Sequence, residues 1–207
     1  MGISIKKARE SDSDFLAMMM LDFSRRGKKV GIFDLIFETN DNERVAQRIK
    51  ELLLSEIKSE YHYSNFLIAV EDDADVGILC GYEARIATTE SLTEALASIG
   101  VDAGYLERIS SYLLCLPNFD KQTWVLDMMR VTDQAHEYTI LKELIQKSLL
   151  TARLKGYHKA QTIVDVGDGE TKLVYEKLGF SYIDEKLSDE YLIDFGPSGI
   201  MRLGITL

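Results

Sequence analysis

Apolar residues recur at two spacings along the first third of the chain. Residues 3–8 read as a short first strand. Ser11, with Asp14 three positions on, forms a capping box that starts a helix carrying Leu16, Met19, Met20 and Phe23 and stopping near Gly27. A second helix begins at Asn40 with Glu43 in the capping position, and Val45, Ile49, Leu52, Leu53 and Ile57 make its apolar face. Residues 65–71 and 76–87 then read as two strands around the acidic turn Asp72-Asp73-Ala74-Asp75. That pattern is an antiparallel hairpin with a slightly long loop.

Residues 88–117 read as an inserted helical pair. Ser91 and Glu94 cap the first helix, which carries Leu92, Ala95, Leu96 and Ile99 and closes at Gly100. Asp102 starts the second, with Tyr105, Ile109, Tyr112, Leu113 and Leu116 on one face and Pro117 at its end. The stretch 124–157 organises the remainder. It opens as a strand apolar on both faces, crosses a polar turn at 132–139, and becomes a helix with Ile140, Leu141, Leu144, Ile145, Leu149 and Ala152 along one stripe. A strand at 160–166 leads through Gly167-Asp168-Gly169 into a short helix ending at Gly179, and strands near 181–185 and 200–207 follow. Antiparallel strands in the first half and two strand–helix units in the second predict a mixed α/β fold, with parallel neighbours where the links are short.

Composition narrows the partners. The 207 residues suffice for one well-packed domain, and 46% hydrophobic content marks a globular chain. A formal net charge of −10 argues against nucleic acid or an anionic membrane as partner and suits a cationic substrate, although much of that charge is ordinary solvation. Cys80 and Cys115 stand far apart in apolar surroundings, so neither a disulfide framework nor a metal site is expected, and a reducing cytoplasm is the default. No signal-peptide core or membrane-length apolar run is present, and Lys6 stands where a myristoylation signal wants Ser or Thr.

The strand–turn–helix corner of 124–157 carries the first chemical reading. The N–H groups opening a helix have no partner inside it, so the corner is a ready anion site. Asp127 lies among Val125, Leu126, Met128 and Met129, where burial would raise its pKa towards that of a useful base; its alternative is a structural carboxylate paired with Arg130. Glu83 is the other candidate base. The Met18-Met19-Met20 run fits an acceptor groove or plain core packing. Both helices of the second half end in a glycine followed by an aromatic, Gly156-Tyr157 and Gly179-Phe180, a C-terminal cap with the aromatic packed back.

In this order those ends carry a resemblance. Leu-Val-Tyr-Glu-Lys-Leu-Gly-Phe at 173–180 resembles a signature of the GCN5-related N-acetyltransferase superfamily, and the unit running through Ala-Arg-Leu-Lys-Gly-Tyr at 152–157 resembles its coenzyme-A-binding motif. The element order matches over nearly the whole chain, with 88–117 as an addition. The resemblance implies a single domain with a central mixed, mostly antiparallel sheet flanked by helices, and acetyl-coenzyme A as co-substrate. It further implies that backbone groups of Met129 and Val131 hold the acyl carbonyl and pantetheine arm, that Tyr175 is the general acid, and that Asp168 and Thr171 meet the far end of the coenzyme. A core aromatic and a helix cap are the plain alternatives for Tyr175 and for the Asp168–Thr171 pair. The family loop Arg/Gln-x-x-Gly-x-Gly/Ala falls on His136, Glu137, Tyr138, Thr139, Ile140 and Leu141, so both small residues that let N–H groups curl round a pyrophosphate are replaced.

Two functional classes follow. One is an acyl-CoA-dependent N-acyltransferase, most simply passing acetyl from acetyl-CoA to a small-molecule or peptide amine by direct attack, with 88–117 forming a wall over the acceptor. The other is a catalytically degenerate relative that uses 88–117 and the altered loop to bind a partner or to form a homodimer.

Overall fold

The computed structural model describes residues 2–132 and 136–207. Its centre is one seven-stranded sheet in the order β1-β2-β3-β4-β5-β7-β6. The first half supplies β1 (Ile3–Lys7), α1 (Ser13–Arg25), α2 (Ile32–Ile36), α3 (Asn42–Leu53), β2 (Phe66–Glu71) and β3 (Ala74–Glu83). Next come α4 (Thr89–Ser98), α5 (Tyr105–Arg108), α6 (Ser110–Cys115), β4 (Trp124–Val131) and α7 (Glu137–Leu154). The chain closes with β5 (Lys159–Asp165), α8 (Gly169–Lys177), β6 (Ser181–Leu187), α9 (Asp189–Phe195) and β7 (Gly199–Thr206).

Two apolar layers hold the sheet. Leu16, Met20, Ile49 and Leu53 from α1 and α3 pack with Ile68, Ile78 and Val125 on one face, together with α2, α4 and α9. Ile140, Leu144, Ile145 and Ala152 of α7 pack with Leu79, Leu126 and Leu203 on the other, joined by Tyr175 and Phe180. Met19 and Met20 are core residues, whereas Met18 is 52% exposed.

Several local expectations are revised. The β2–β3 turn is tighter than the acidic run suggested. Glu71 pairs with Ala74, leaving Asp72 and Asp73 as a two-residue turn with φ of 48° and 64°, left-handed geometry that suits a twisted hairpin. Ser11 does not cap α1: it lies inside a single 3-10 turn, Glu10–Asp12, whose Asp12 carboxylate accepts the Arg9 N–H at 2.8 Å, and α1 follows Asp12 without a side-chain cap. Asp41 caps α3, accepting the Arg44 N–H at 2.9 Å, and Thr88 caps α4, accepting the Ser91 N–H at 3.1 Å. The second inserted helix divides into α5 and α6. Among the described residues the strand–helix units yield one parallel pair, β4 with β5, because β7 lies between β5 and β6 and runs antiparallel to both. Two helices went unread, α2 and α9. The signal for α9 is Ser188, which accepts the Tyr191 N–H at 3.2 Å ahead of an acidic first turn.

Both glycine–aromatic ends form the same cap. Gly156 and Gly179 take φ of 84° and 94°, and the N–H groups of Tyr157 and Phe180 reach back to the carbonyls of Ala152 and Tyr175 at 3.0 and 3.1 Å. The second cap sets the Phe180 ring edge-on to Tyr175, with centroids 5.0 Å apart.

Candidate active site

The site begins with a break in the sheet. β4 and β5 pair at Trp124–Ala160, Val125–Gln161 and Leu126–Thr162, and among the described residues they share no ladder beyond that point. From there β4 follows β3 and β5 follows β7, so the strands part and the β4 edge facing β5 loses its ladder partner.

A bulge in β4 accompanies the split. Arg130 pairs with Ile78 and Asp127 with Cys80, which leaves Met128 and Met129 together opposite Leu79. Met128 sits at φ 49°, a left-handed value that costs a non-glycine residue about 1–2 kcal/mol. The Asp127 carboxylate accepts the Met128 N–H at 2.7 Å and supports that conformation. The extra residue also resets the alternation of the strand. Val125 and Met128 belong to the α1 layer, Leu126, Met129 and Val131 to the α7 layer.

Asp127 faces a cavity of about 500 Å³ whose walls include Glu60, Tyr61, Tyr82, Tyr105 and Tyr112. It also borders a smaller cleft of about 70 Å³, with Met129, Val164, Lys28, Asp168 and Thr171, at the opening between β4 and β5. Burial lifts its pKa to about 6, against the opposing pull of the Met128 N–H and the Lys28 charge. The expected alternative partner, Arg130, instead donates to Asp22. Glu83 behaves in the opposite way. Its hydrogen bond from Lys155, at 2.8 Å, and a second one from Arg85 hold it down at about 2, so it is a poor proton acceptor near neutrality.

Glu60 escaped the sequence reading. It lies in the connection between α3 and β2, where no periodicity marks it, yet it meets Asp127 in the same cavity. Its Oε2 is buried with no hydrogen-bond partner among the described residues. Burial, less the help of its own backbone N–H and with a smaller push from Asp127, raises its pKa to about 8.

Tyr175 stands on the opposite face. It is fully buried, lies near Thr162, the last residue of the β4–β5 pairing, and lines neither cavity. Burial drives its pKa above the usual phenol range, with a further push from the Asp127 charge, so it keeps its proton at any ordinary pH.

The residues of the expected anion loop lie at the start of α7. Residues 133–135 of the preceding turn lie outside the described residues. Among the described residues the N–H groups of Glu137, Tyr138 and Thr139 have no backbone partner, as befits a first helical turn, whereas the Ile140 N–H is spent on the His136 carbonyl at 3.1 Å. Ile140 and Leu141 place their side chains in the α7 core layer. The Glu137 charge is met by Arg26 at 3.7 Å, and Arg26 also reaches Glu170 at 3.5 Å, so the arginine stands between the starts of α7 and α8. His136 lies 3.6 Å from Glu71. Tyr138 is half-exposed beneath Lys177. Asp168 caps α8, accepting the Thr171 N–H at 3.0 Å and its hydroxyl at 2.7 Å. No metal-ligating cluster occurs among the described residues, and no described helix is long and apolar enough to cross a membrane.

Several solved structures that superpose on nearly the whole chain are described as acetyltransferases. One described as an acetyltransferase superposes with a TM-score of 0.66 at 19% identity, covering 96% of this chain and 97% of its own. An N-acetyltransferase from Staphylococcus aureus Mu50 gives 0.65 at 14%, covering 98% and 100%. A GCN5-related N-acetyltransferase from Kribbella flavida gives 0.61 at 14%, covering 99% and 98%. The chain has the GCN5-related N-acetyltransferase fold. The PaiA N-acetyltransferase of Thermoplasma acidophilum, solved with coenzyme A, shares that fold with a TM-score of 0.54 at 12% identity over the full length of both chains. No family model and no curated protein matches the sequence. The fold therefore agrees with the resemblance read from residues 152–157 and 173–180, and the parted strands are where it opens.

Proposed function

We propose that the protein is an acyl-CoA-dependent N-acyltransferase, most simply one that moves acetyl to an amine. The observation that carries this reading is the parting of β4 and β5 beside Asp127, with a cavity for an acceptor on the α1 side and a buried phenol on the other. The freed edge of β4 at Met129 and Val131 has backbone groups to offer an acyl carbonyl and an amide arm. A donor aimed at a developing oxyanion is typically worth about 3–4 kcal/mol. Further along, the first-turn N–H groups of Glu137, Tyr138 and Thr139, the Arg26 guanidinium and the α8 cap at Asp168 and Thr171 line the route for the anionic end.

Bound acyl-CoA supplies an activated thioester carbonyl. Asp127, with its pKa near 6, is ionised at neutral pH and takes the proton that an incoming ammonium must lose before its nitrogen can attack. As the C–N bond replaces the C–S bond, Tyr175 provides the proton for the departing sulfur. The phenol lies near Thr162 at the apex of the split, and burial keeps it protonated.

A second reading, a non-catalytic relative, is favoured by one feature: positions 139 and 141 carry Thr and Leu where the family loop has small residues. Thermal melting separates the two. At a hundred times its dissociation constant, acetyl-CoA stabilises the fold by roughly 2.7 kcal/mol. A melting temperature unmoved by millimolar acetyl-CoA would defeat the acyltransferase reading.

A further inference from the structure

The large cavity has an electrostatic character that the transfer reaction alone does not require. Glu60 is fixed there by its backbone. Its carbonyl accepts from the Asn65 amide at 2.9 Å and from the Cys80 thiol at 3.4 Å. The same Asn65 amide holds the Ser59 carbonyl at 3.1 Å, and the Ser59 hydroxyl accepts the Tyr61 N–H at 3.3 Å. The main chain on both sides is thus tied down, while Oε2 of the side chain is left buried and without a partner among the described residues. A buried carboxyl in that position costs stability unless something fills its vacancy.

The surroundings say what that is. Among the described residues lining the cavity none is basic; the Lys28 charge that reaches Asp127 comes from the adjoining cleft, and no cation lines the cavity beside Glu60. Four tyrosines do line it. The Tyr105 hydroxyl is already engaged with Thr93 at 2.8 Å, and aromatic rings attract a cation through their faces. The net charge of −10 draws cations to the molecule. Asp127 is a second carboxylate in the same cavity, on another element. Two acidic groups in one apolar-walled chamber of about 500 Å³ match a flexible chain with a positive charge at each end.

We propose that the cavity selects an alkyl diamine or polyamine, with Glu60 binding the distal ammonium and Asp127 receiving the nitrogen that reacts. The role of Asp127 rests on the acyltransferase reading; the binding of a dication does not. Glu60 is accordingly a specificity determinant, and a monoamine of the same length leaves it unpaired.

Calorimetry with 1,4-diaminobutane and 1-aminobutane, at pH 8.5 and without coenzyme, tests the binding. The diamine binds the wild-type protein at least tenfold more tightly than the monoamine. Glu60→Gln removes that preference, and Glu60→Asp, which keeps the charge on a stem one methylene shorter, retains it. Equal binding of the two amines to the wild type overturns the proposal without any variant, and so does a preference that persists in Glu60→Gln. Thiol release from acetyl-CoA supplies the second readout: the ratio of kcat/KM for diamine over monoamine collapses at least tenfold in Glu60→Gln through KM. Diamine-selective binding with no turnover of either amine upholds the cation site and defeats the acyltransferase reading. Turnover of both amines without selectivity does the reverse.

Discussion

Asp127 is bound to its setting twice over, as a cavity carboxylate and as the acceptor that supports the left-handed Met128. An amide oxygen can still take the Met128 N–H, so Asp127→Asn keeps the bulge while abolishing the base. That variant folds with an undiminished melting temperature, and its turnover falls by about 10²–10⁴. In the wild type, turnover rises as pH passes upward through about 6, where the carboxyl loses its proton. Loss of that limb in Asp127→Asn, read from kcat/KM against pH, identifies the group; an unchanged limb assigns the base elsewhere. Tyr175→Phe acts on the opposite proton. Removing one buried hydroxyl costs about 1 kcal/mol of stability at most, while turnover drops roughly 10–100-fold with coenzyme affinity nearly intact. Turnover equal to the wild type would remove Tyr175 as the acid and leave it a packing residue against Phe180.

At the scale of elements, the strands are positioned by contacts that admit little substitution. β3 approaches α7 at Gly81, where an added Cβ would lie 2.5 Å from the Ser148 hydroxyl oxygen and 3.2 Å from the Trp124 indole. Those two groups are hydrogen-bonded to each other at 2.9 Å, so neither is free to retreat. Gly81→Ala therefore destabilises the fold by about 1–3 kcal/mol, measurable by urea unfolding. Contacts of this kind also explain what could be read in advance. α7 and α8 were legible because their apolar stripes and Gly156-Tyr157 and Gly179-Phe180 ends are local signals. The Met128 bulge was not, since its residues carry no turn chemistry and the conformation follows from pairing with β3. Asp127 was legible as a carboxylate in an apolar strand. Glu60 was not, because only the folded loop brings it to Asp127 across more than sixty positions of chain. The two-residue turn at Asp72-Asp73 was obscured by the acidic run around it.

For the molecule as a whole, the two cavity carboxyls set a dependence of stability on pH. Both have folded pKa values above their ordinary ones, about 6 for Asp127 and about 8 for Glu60. Below the ordinary carboxyl range both states hold the protons, and the fold bears no penalty for burying them. As pH rises, the unfolded chain releases these protons first, so stability declines until the folded groups have also ionised, near pH 8. Glu83 contributes in the opposite sense. Its folded value near 2 gives stability that is present above the ordinary range and is lost only as pH falls towards 2, outside the window of the decline. The neighbours that feel the Glu60 charge, Tyr61, Tyr82, Tyr105, Tyr112 and Cys80, are themselves pushed upward and stay neutral throughout. Glu60→Gln therefore leaves stability nearly unchanged at pH 4.5 and raises it by about 1 kcal/mol or more at pH 8.5, roughly 2–4 °C in melting temperature for a chain of this size. Paired melts of the two proteins at those pH values measure the gap. An equal decline in both would place its source outside Glu60, whereas a gap that widens with pH and closes when 1,4-diaminobutane is added ties the cost of the buried carboxylate to the ligand it is held to receive.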